Sequence, residues 1–151
     1  MIDTSGSMYG EKLSHAVDAL KNIITALPDG DNFNIIRYGN KVKSWRQYMA
    51  KSDEKVKAKA FEFLDEITAG GSTDLEGALL EAIDLASMSE KARIPIILFL
   101  TDGGPNVGGK DVQTVVQEYF IHTLMESYTP VFFKSLFLYV CFFVYIFSRF
   151  F

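Results

Sequence analysis

The first residues of the chain, MIDTSGSM, set one carboxylate and two hydroxyls at alternating positions: Asp3, Ser5 and Ser7. Two later stretches carry the same oxygen chemistry, Thr73 within GGSTDLEGAL and Asp102 within LTDGGPNVG. Carboxylates and hydroxyls are hard donors, suited to Mg²⁺ or Mn²⁺ and not to metals that seek thiolate or imidazole. Taken singly, each stretch has a plainer use. Ser-Gly-Ser is a common turn, Asp3 and Thr73 read as helix caps, and Asp102-Gly103 reads as a turn after a buried strand. If strand ends deliver Asp3 and Asp102 to one place and a loop brings Thr73 alongside, the opening motif would form one side of a metal site.

Such a site needs elements that bring the segments together. Leu13, Ala16, Val17, Leu20, Ile23, Ile24 and Leu27 recur at three- and four-residue steps, and Pro28-Asp29-Gly30 ends that helix. NFNIIRYG reads as a strand, Gly39-Asn40 as its turn and KVKSWRQY as an antiparallel partner, so a short hairpin is expected at a sheet edge. A second helix is expected from Asp53 to Ile67, with Val56, Ala60, Phe61, Leu64 and Ile67 buried. After the Gly70-Gly71 break, STDLEGALLEAIDLA reads as a third helix, with Thr73 and Glu76 at capping-box spacing. IPIILFLTD is a continuous apolar run of strand length, typical of a central parallel strand covered on both faces. A last helix is expected from Asp111 to about Thr123. Alternating helical and strand-like periods indicate a layered α/β domain, in which ligands sit outside the carboxyl ends of the parallel strands. Asp3 and Asp102 both fall at such ends. His15, among Glu11, Lys12 and Asp18, reads as solvated, and Trp45 as a packing residue at the sheet edge.

In that order and spacing, DTSGS, GGSTDLEGAL and LTDGGPNVG resemble the three metal-site segments of the von Willebrand factor type A domain, over about Met1 to Phe120. DNFNIIRYG followed by Trp45, and the Pro-x-Val-Gly after the last acid, look most like the heavy chains of the inter-alpha-trypsin inhibitor. The resemblance implies a doubly wound, mostly parallel sheet with helices on both faces, a Rossmann-like arrangement. It also implies a metal-ion-dependent adhesion site in a binding module that is not an enzyme. Ser5, Ser7 and Thr73 match its hydroxyl ligands, and Asp3 and Asp102 match acids that bind the ion directly or through water. Mg²⁺ is the expected ion, with Mn²⁺ or Ca²⁺ as substitutes. Neutral hydroxyls leave such a cation under-neutralised, so an open position attracts an acidic oxygen from a protein or matrix partner. That attraction is worth roughly 1 kcal/mol in water and several-fold more when desolvated. By the same resemblance the parent protein is expected outside the cell, in hyaluronan matrix or protease-inhibitor complexes. Calcium-channel auxiliary subunits and bacterial surface proteins share the site and are alternatives within the class.

Two enzyme readings compete. Gly104-x-x-x-x-Gly109-Lys110 has P-loop spacing, but Asp111 stands where a Mg²⁺-binding Ser or Thr belongs and would repel phosphate. A Mg²⁺-dependent phosphatase of the haloacid dehalogenase type would use Asp3 as nucleophile and an acid two residues on, where this chain has Ser5.

The 151 residues suit one domain, and with 48% hydrophobic and 23% charged residues the composition is globular. A net charge of −4 implies no polyanion-binding surface, and the single Cys141 makes no internal disulfide. No basic flank and apolar stretch of signal-peptide type opens the sequence. Only Met1-Ile2 precede the first acid, where the family has several apolar residues. From Pro130 onward the sequence is foreign to the family and holds eight of the thirteen Phe. The expected organisation is therefore a partial domain over 1–125, truncated at both ends, with a hydrophobic Phe/Tyr-rich helix or tail over 126–151. The expectation is a fragment, a gene model that begins at an internal Met and runs into sequence foreign to the family. Uncovered apolar neighbours would cost about 25 cal/mol per Å². The fourteen uncharged residues between Lys134 and Arg149 span about 21 Å as a helix against a hydrocarbon core of roughly 30 Å. Membrane anchoring through 130–151 would therefore require snorkelling by both flanking cations.

Overall fold

Successive side chains of a strand point to opposite faces, so a strand covered by apolar residues on both sides needs a helical layer on each. The computed structural model describes residues 1–88 and 96–102 and shows that arrangement. Strand β1 (Ile2–Asp3) pairs in parallel with β3 (Ile36–Tyr38), Ile2 opposite Arg37 and Asp3 opposite Tyr38. On its other side Ile2 forms a parallel bridge with Leu100, supported by Leu100 N–H to the Met1 carbonyl (3.0 Å) and Asp3 N–H to the Leu100 carbonyl (2.8 Å). Strand β4 (Lys43–Ser44) adds antiparallel to β3. Met1, Ile36, Tyr38 and Phe99 face helix α3 (Leu75–Ser87) through Leu75, Ala78, Leu79 and Ile83. The alternate residues Ile2, Ile35 and Leu100 face α1 (Glu11–Ala26) and α2 (Glu54–Asp65) through Leu13, Ala16, Leu20, Ile24, Ala60 and Leu64. Ile97 and Leu98 continue the alternation, one packed on each layer, but among the described residues this segment pairs with β1 only through the isolated bridge at Leu100 and not as the strand expected for IPIILFLTD.

Helix α1 matches its periodicity except at Ile23, which is 41% exposed and lies off the buried stripe. It ends at Leu27 because a residue before proline avoids helical ψ, and Leu27 is extended (φ −64°, ψ 129°). Its last carbonyls gain an unforeseen partner: Lys57 of α2 donates to Thr25 O (3.3 Å) and Leu27 O (2.8 Å). The side chain of Lys57 is only 9% exposed. A cation at a helix carboxyl end meets both the orphan carbonyls and the dipole. Helix α2 begins at Glu54, with the Asp53 carboxylate capping Val56 N–H at 2.7 Å.

Two expectations are corrected. NFNIIRYG is not one strand. Phe33 belongs to β2 (Asn32–Phe33), which pairs antiparallel with β5 (Ala50–Lys51) in a separate two-stranded sheet. The break falls at Asn34, whose side-chain amide donates to Arg46 O (2.8 Å) and Tyr48 O (3.1 Å) and whose oxygen accepts Ile35 N–H (2.8 Å). A side chain that takes over backbone bonds in this way interrupts the ladder. The cap of α3 is Asp74, not Thr73: Asp74 accepts Gly77 N–H at 3.0 Å, and Thr73 lies one residue outside. Trp45 packs as expected, stacked on Phe33 with ring centroids 5.5 Å apart and covered by the Arg46 guanidinium at 4.4 Å. The helix expected over 111–123 and the hydrophobic tail over 126–151 lie outside the described residues. Among the described residues no helix is long and apolar enough to cross a membrane.

Replacing Lys57 by Met keeps the buried stem but strips two carbonyls of their donor. A hydrogen bond to a charged group contributes about 1.5–3 kcal/mol, less where water can replace it, so urea unfolding of Lys57→Met is expected to show a midpoint shifted down with an unchanged slope.

Candidate metal centre

Parallel pairing of β1 with β3 and its parallel bridge to Leu100 bring the carboxyl ends of these segments together, and the polar residues gather there. Asp3 closes β1 and is 1% exposed. One of its carboxylate oxygens accepts Ser5 N–H (2.8 Å) and the other accepts the Thr101 hydroxyl (2.7 Å), which arrives from the neighbouring strand end. The chain then turns through one 3-10 turn (Gly6–Met8) into α1. Within this loop the Ser5 and Ser7 hydroxyls share a hydrogen bond of 3.0 Å, and Ser7 donates to one oxygen of Asp102 (2.8 Å). Asp3, Ser5, Ser7 and Asp102 thus form one continuous hydrogen-bonded series across 99 residues of sequence. Ser5 lies at its buried end and Ser7 at its exposed end.

Thr73 lies in a loop that is hydrogen-bonded to the opening loop. Gly70 N–H donates to Thr4 O (2.8 Å), Gly6 N–H to Gly71 O (2.9 Å), and Asp74 N–H to Gly39 O (3.0 Å), so the loop of residues 70–74 is laced to the opening loop and to the end of the hairpin strand. Thr73 is 2% exposed within it. Gly71 adopts φ +89°, and a Cβ there would overlap the Asn40 side chain, which itself accepts Ser72 N–H (2.6 Å). Side-chain bonds join Ser5, Ser7 and Asp102, Asp3 enters the series through the Ser5 backbone N–H, and Thr73 lies in a loop tied by backbone to the opening loop.

Three neighbours were not foreseen from sequence. Lys12, in the first turn of α1, forms an ion pair with the second oxygen of Asp102 at 2.5 Å. Thr101 and Tyr38 flank Asp3. Burial first, then the charges of Asp3 and Asp102, push the Tyr38 phenol far upward, with Thr101 opposing, so it stays protonated. Thr101 was legible as the residue before a strand-end acid. No local signal marks Lys12, because its partner is ninety positions away. Lys12, His15, Thr101 and Asp102 also line a cleft of about 220 Å³ floored by Met8, Ala16, Ala19 and Leu100. His15 is thus exposed, as expected, but at the mouth of this cleft.

The donor set fits a hard divalent cation. It offers two carboxylates and three hydroxyls, with no thiolate or imidazole among the candidates. Among the described residues Asp3 has two hydrogen bonds and no ion pair, and a carboxylate so covered is costly without a nearby positive charge. The described residues contain no cluster of three or more His, Cys, Asp or Glu, so any cation here would depend on the serine and threonine oxygens.

A family model described as the von Willebrand factor type A domain matches residues 1–125. Inter alpha-trypsin inhibitor, heavy chain 4, of Mus musculus is 33% identical over 85% of this chain. The inter-alpha-trypsin inhibitor heavy chain H1 of Sus scrofa is 30% identical over 78%. The chain spans 14% of the length of each of these two relatives. Among solved structures, the von Willebrand factor type A protein from Catenulispora acidiphila superposes with a TM-score of 0.62 at 23% identity, over 85% of this chain and 30% of that one, a likeness of fold.

Desolvation alone would raise the Asp102 carboxyl, but hydrogen bonds from Lys12 and Ser7 and the Lys12 charge outweigh it and hold the group below the ordinary carboxylate range. A depressed folded-state pKa contributes stability above the unfolded value of about 3.9, and that contribution is lost as pH falls through the folded value. In chelator-treated protein, Asp102→Asn should therefore be less stable than the parent near pH 7, with the gap closing below about pH 4 in urea unfolding across pH.

Proposed function

Because the chain belongs to the von Willebrand factor type A domain family, we propose that it is a non-enzymatic binding module that holds Mg²⁺ and grips an acidic group on a partner. Asp3, Ser5, Ser7, Thr73 and Asp102 would hold the ion, and Mn²⁺ or Ca²⁺ would substitute for it. Bound there, the cation supplies an under-neutralised positive charge, while the chain's own residues fix the donors and exclude water from Asp3. The observation that carries this reading is the hydrogen-bonded series from Asp3 to Asp102 around a buried carboxylate that lacks an ion pair among the described residues. Its outer members, Ser7 and the Asp102 side chain (11% exposed), are where an external acid could arrive.

Similarity to the inhibitor heavy chains supports an extracellular setting and a protein or matrix partner, with hyaluronan matrix and protease-inhibitor complexes as the settings to test first. Hydrolysis at Asp3 is disfavoured on physical grounds. Such a mechanism needs a second acid two residues beyond the nucleophile as general acid, and that position holds Ser5, whose hydroxyl is hydrogen-bonded to that of Ser7.

Titration calorimetry with MgCl₂ tests the reading. One ion per chain is expected, with binding abolished in Asp3→Ala and weakened at least tenfold, about 1.4 kcal/mol, in Thr73→Ala. No turnover of a generic phosphate ester is expected with or without Mg²⁺. A folded parent chain that takes up no divalent ion, or one that hydrolyses the ester and loses this in Asp3→Asn, would sink the proposal.

A further inference from the structure

Lys12 is the one cation in ion-pair contact with the candidate donors among the described residues. It takes one oxygen of Asp102 while Ser7 takes the other, so both oxygens of the outermost acid are engaged. Its side chain is half exposed and extends along the cleft shared with His15 and Thr101. An ammonium so placed can leave for solvent at little cost, since exposed ion pairs are weak. We infer that Lys12 is an internal competitor of the metal: its ammonium and the divalent ion contend for Asp102, and Lys12 thereby sets the affinity of the site. The inference rests on the metal-binding reading of the same residues and adds to it a determinant of affinity.

The physical basis is charge. A divalent ion beside the Ser7 and Asp102 oxygens would lie close to the ammonium that already neutralises Asp102, and two cations on one carboxylate repel each other. Without the ion, the Lys12 bond ties the first turn of α1 to the chain segment that carries Asp102. Lys12 therefore has opposite effects on two measurable quantities. It stabilises the metal-free chain and weakens the metal.

Lys12→Met, which keeps most of the stem and removes the charge, separates these effects in the full chain. Thermal unfolding in chelator should show a lower midpoint than the parent. Calorimetry should then show Mg²⁺ bound roughly two- to five-fold more tightly, the range expected for removing an exposed ion pair, and the thermal shift produced by saturating Mg²⁺ should be larger. Lys12→Arg, which retains the charge, should stay near the parent in affinity. A folded Lys12→Met chain that binds Mg²⁺ with unchanged or weaker affinity overturns the inference while leaving the metal site standing. Failure of parent and variant alike to bind Mg²⁺ overturns both.

Discussion

A carboxylate at the end of the central strand, covered to 1% exposure, is the constraint around which the polar end of this molecule is arranged. Burial makes a bare carboxylate expensive, so each oxygen of Asp3 must be met by a donor. The donors come from two places: the backbone of Ser5, two residues on, and the hydroxyl of Thr101, from the adjoining strand end. Meeting the first forces the tight loop that aligns Ser5 and Ser7. Meeting the second requires Leu100 beside Ile2, which the parallel bridge provides. Charge remains in excess even so, and this is the physical reason to look for a cation.

Thr4 is the hub through which the other segments are held to that carboxylate. Its N–H and hydroxyl both donate to Tyr38 O, at 2.7 and 2.9 Å, and its carbonyl accepts Gly70 N–H. One residue thereby joins the hairpin strand, the opening loop and the loop before α3. Tyr38 packs under the same point, with its phenol kept neutral by burial and by the neighbouring acids. The apolar layers serve this junction by fixing β1 between two parallel neighbours, so that both strand-end acids emerge on one side.

Elsewhere, polar side chains do structural work of a different kind. Lys57 substitutes for water at the end of α1 and thereby locks α2 against it. Asn34 substitutes for ladder bonds and divides one apolar stretch between two sheets. In both cases a polar side chain takes over backbone groups that lie outside the regular ladders, and the local course of the chain follows from that.

The periods of apolar residues were enough to give α1, α2 and α3 and the layered α/β arrangement, because amphipathic faces are encoded locally. Asp3, Ser5, Ser7, Thr73 and Asp102 became candidates through their oxygen chemistry together with the family resemblance of the three segments that carry them. Sequence did not give the split at Asn34, the cap at Asp74 in place of Thr73, or the burial of Lys57, each decided by a partner supplied by the folded chain. Nor did it give the ion pair of Lys12 with Asp102. That contact joins residues ninety positions apart, and only the placement of α1 beside the end of a parallel strand brings their charges within reach.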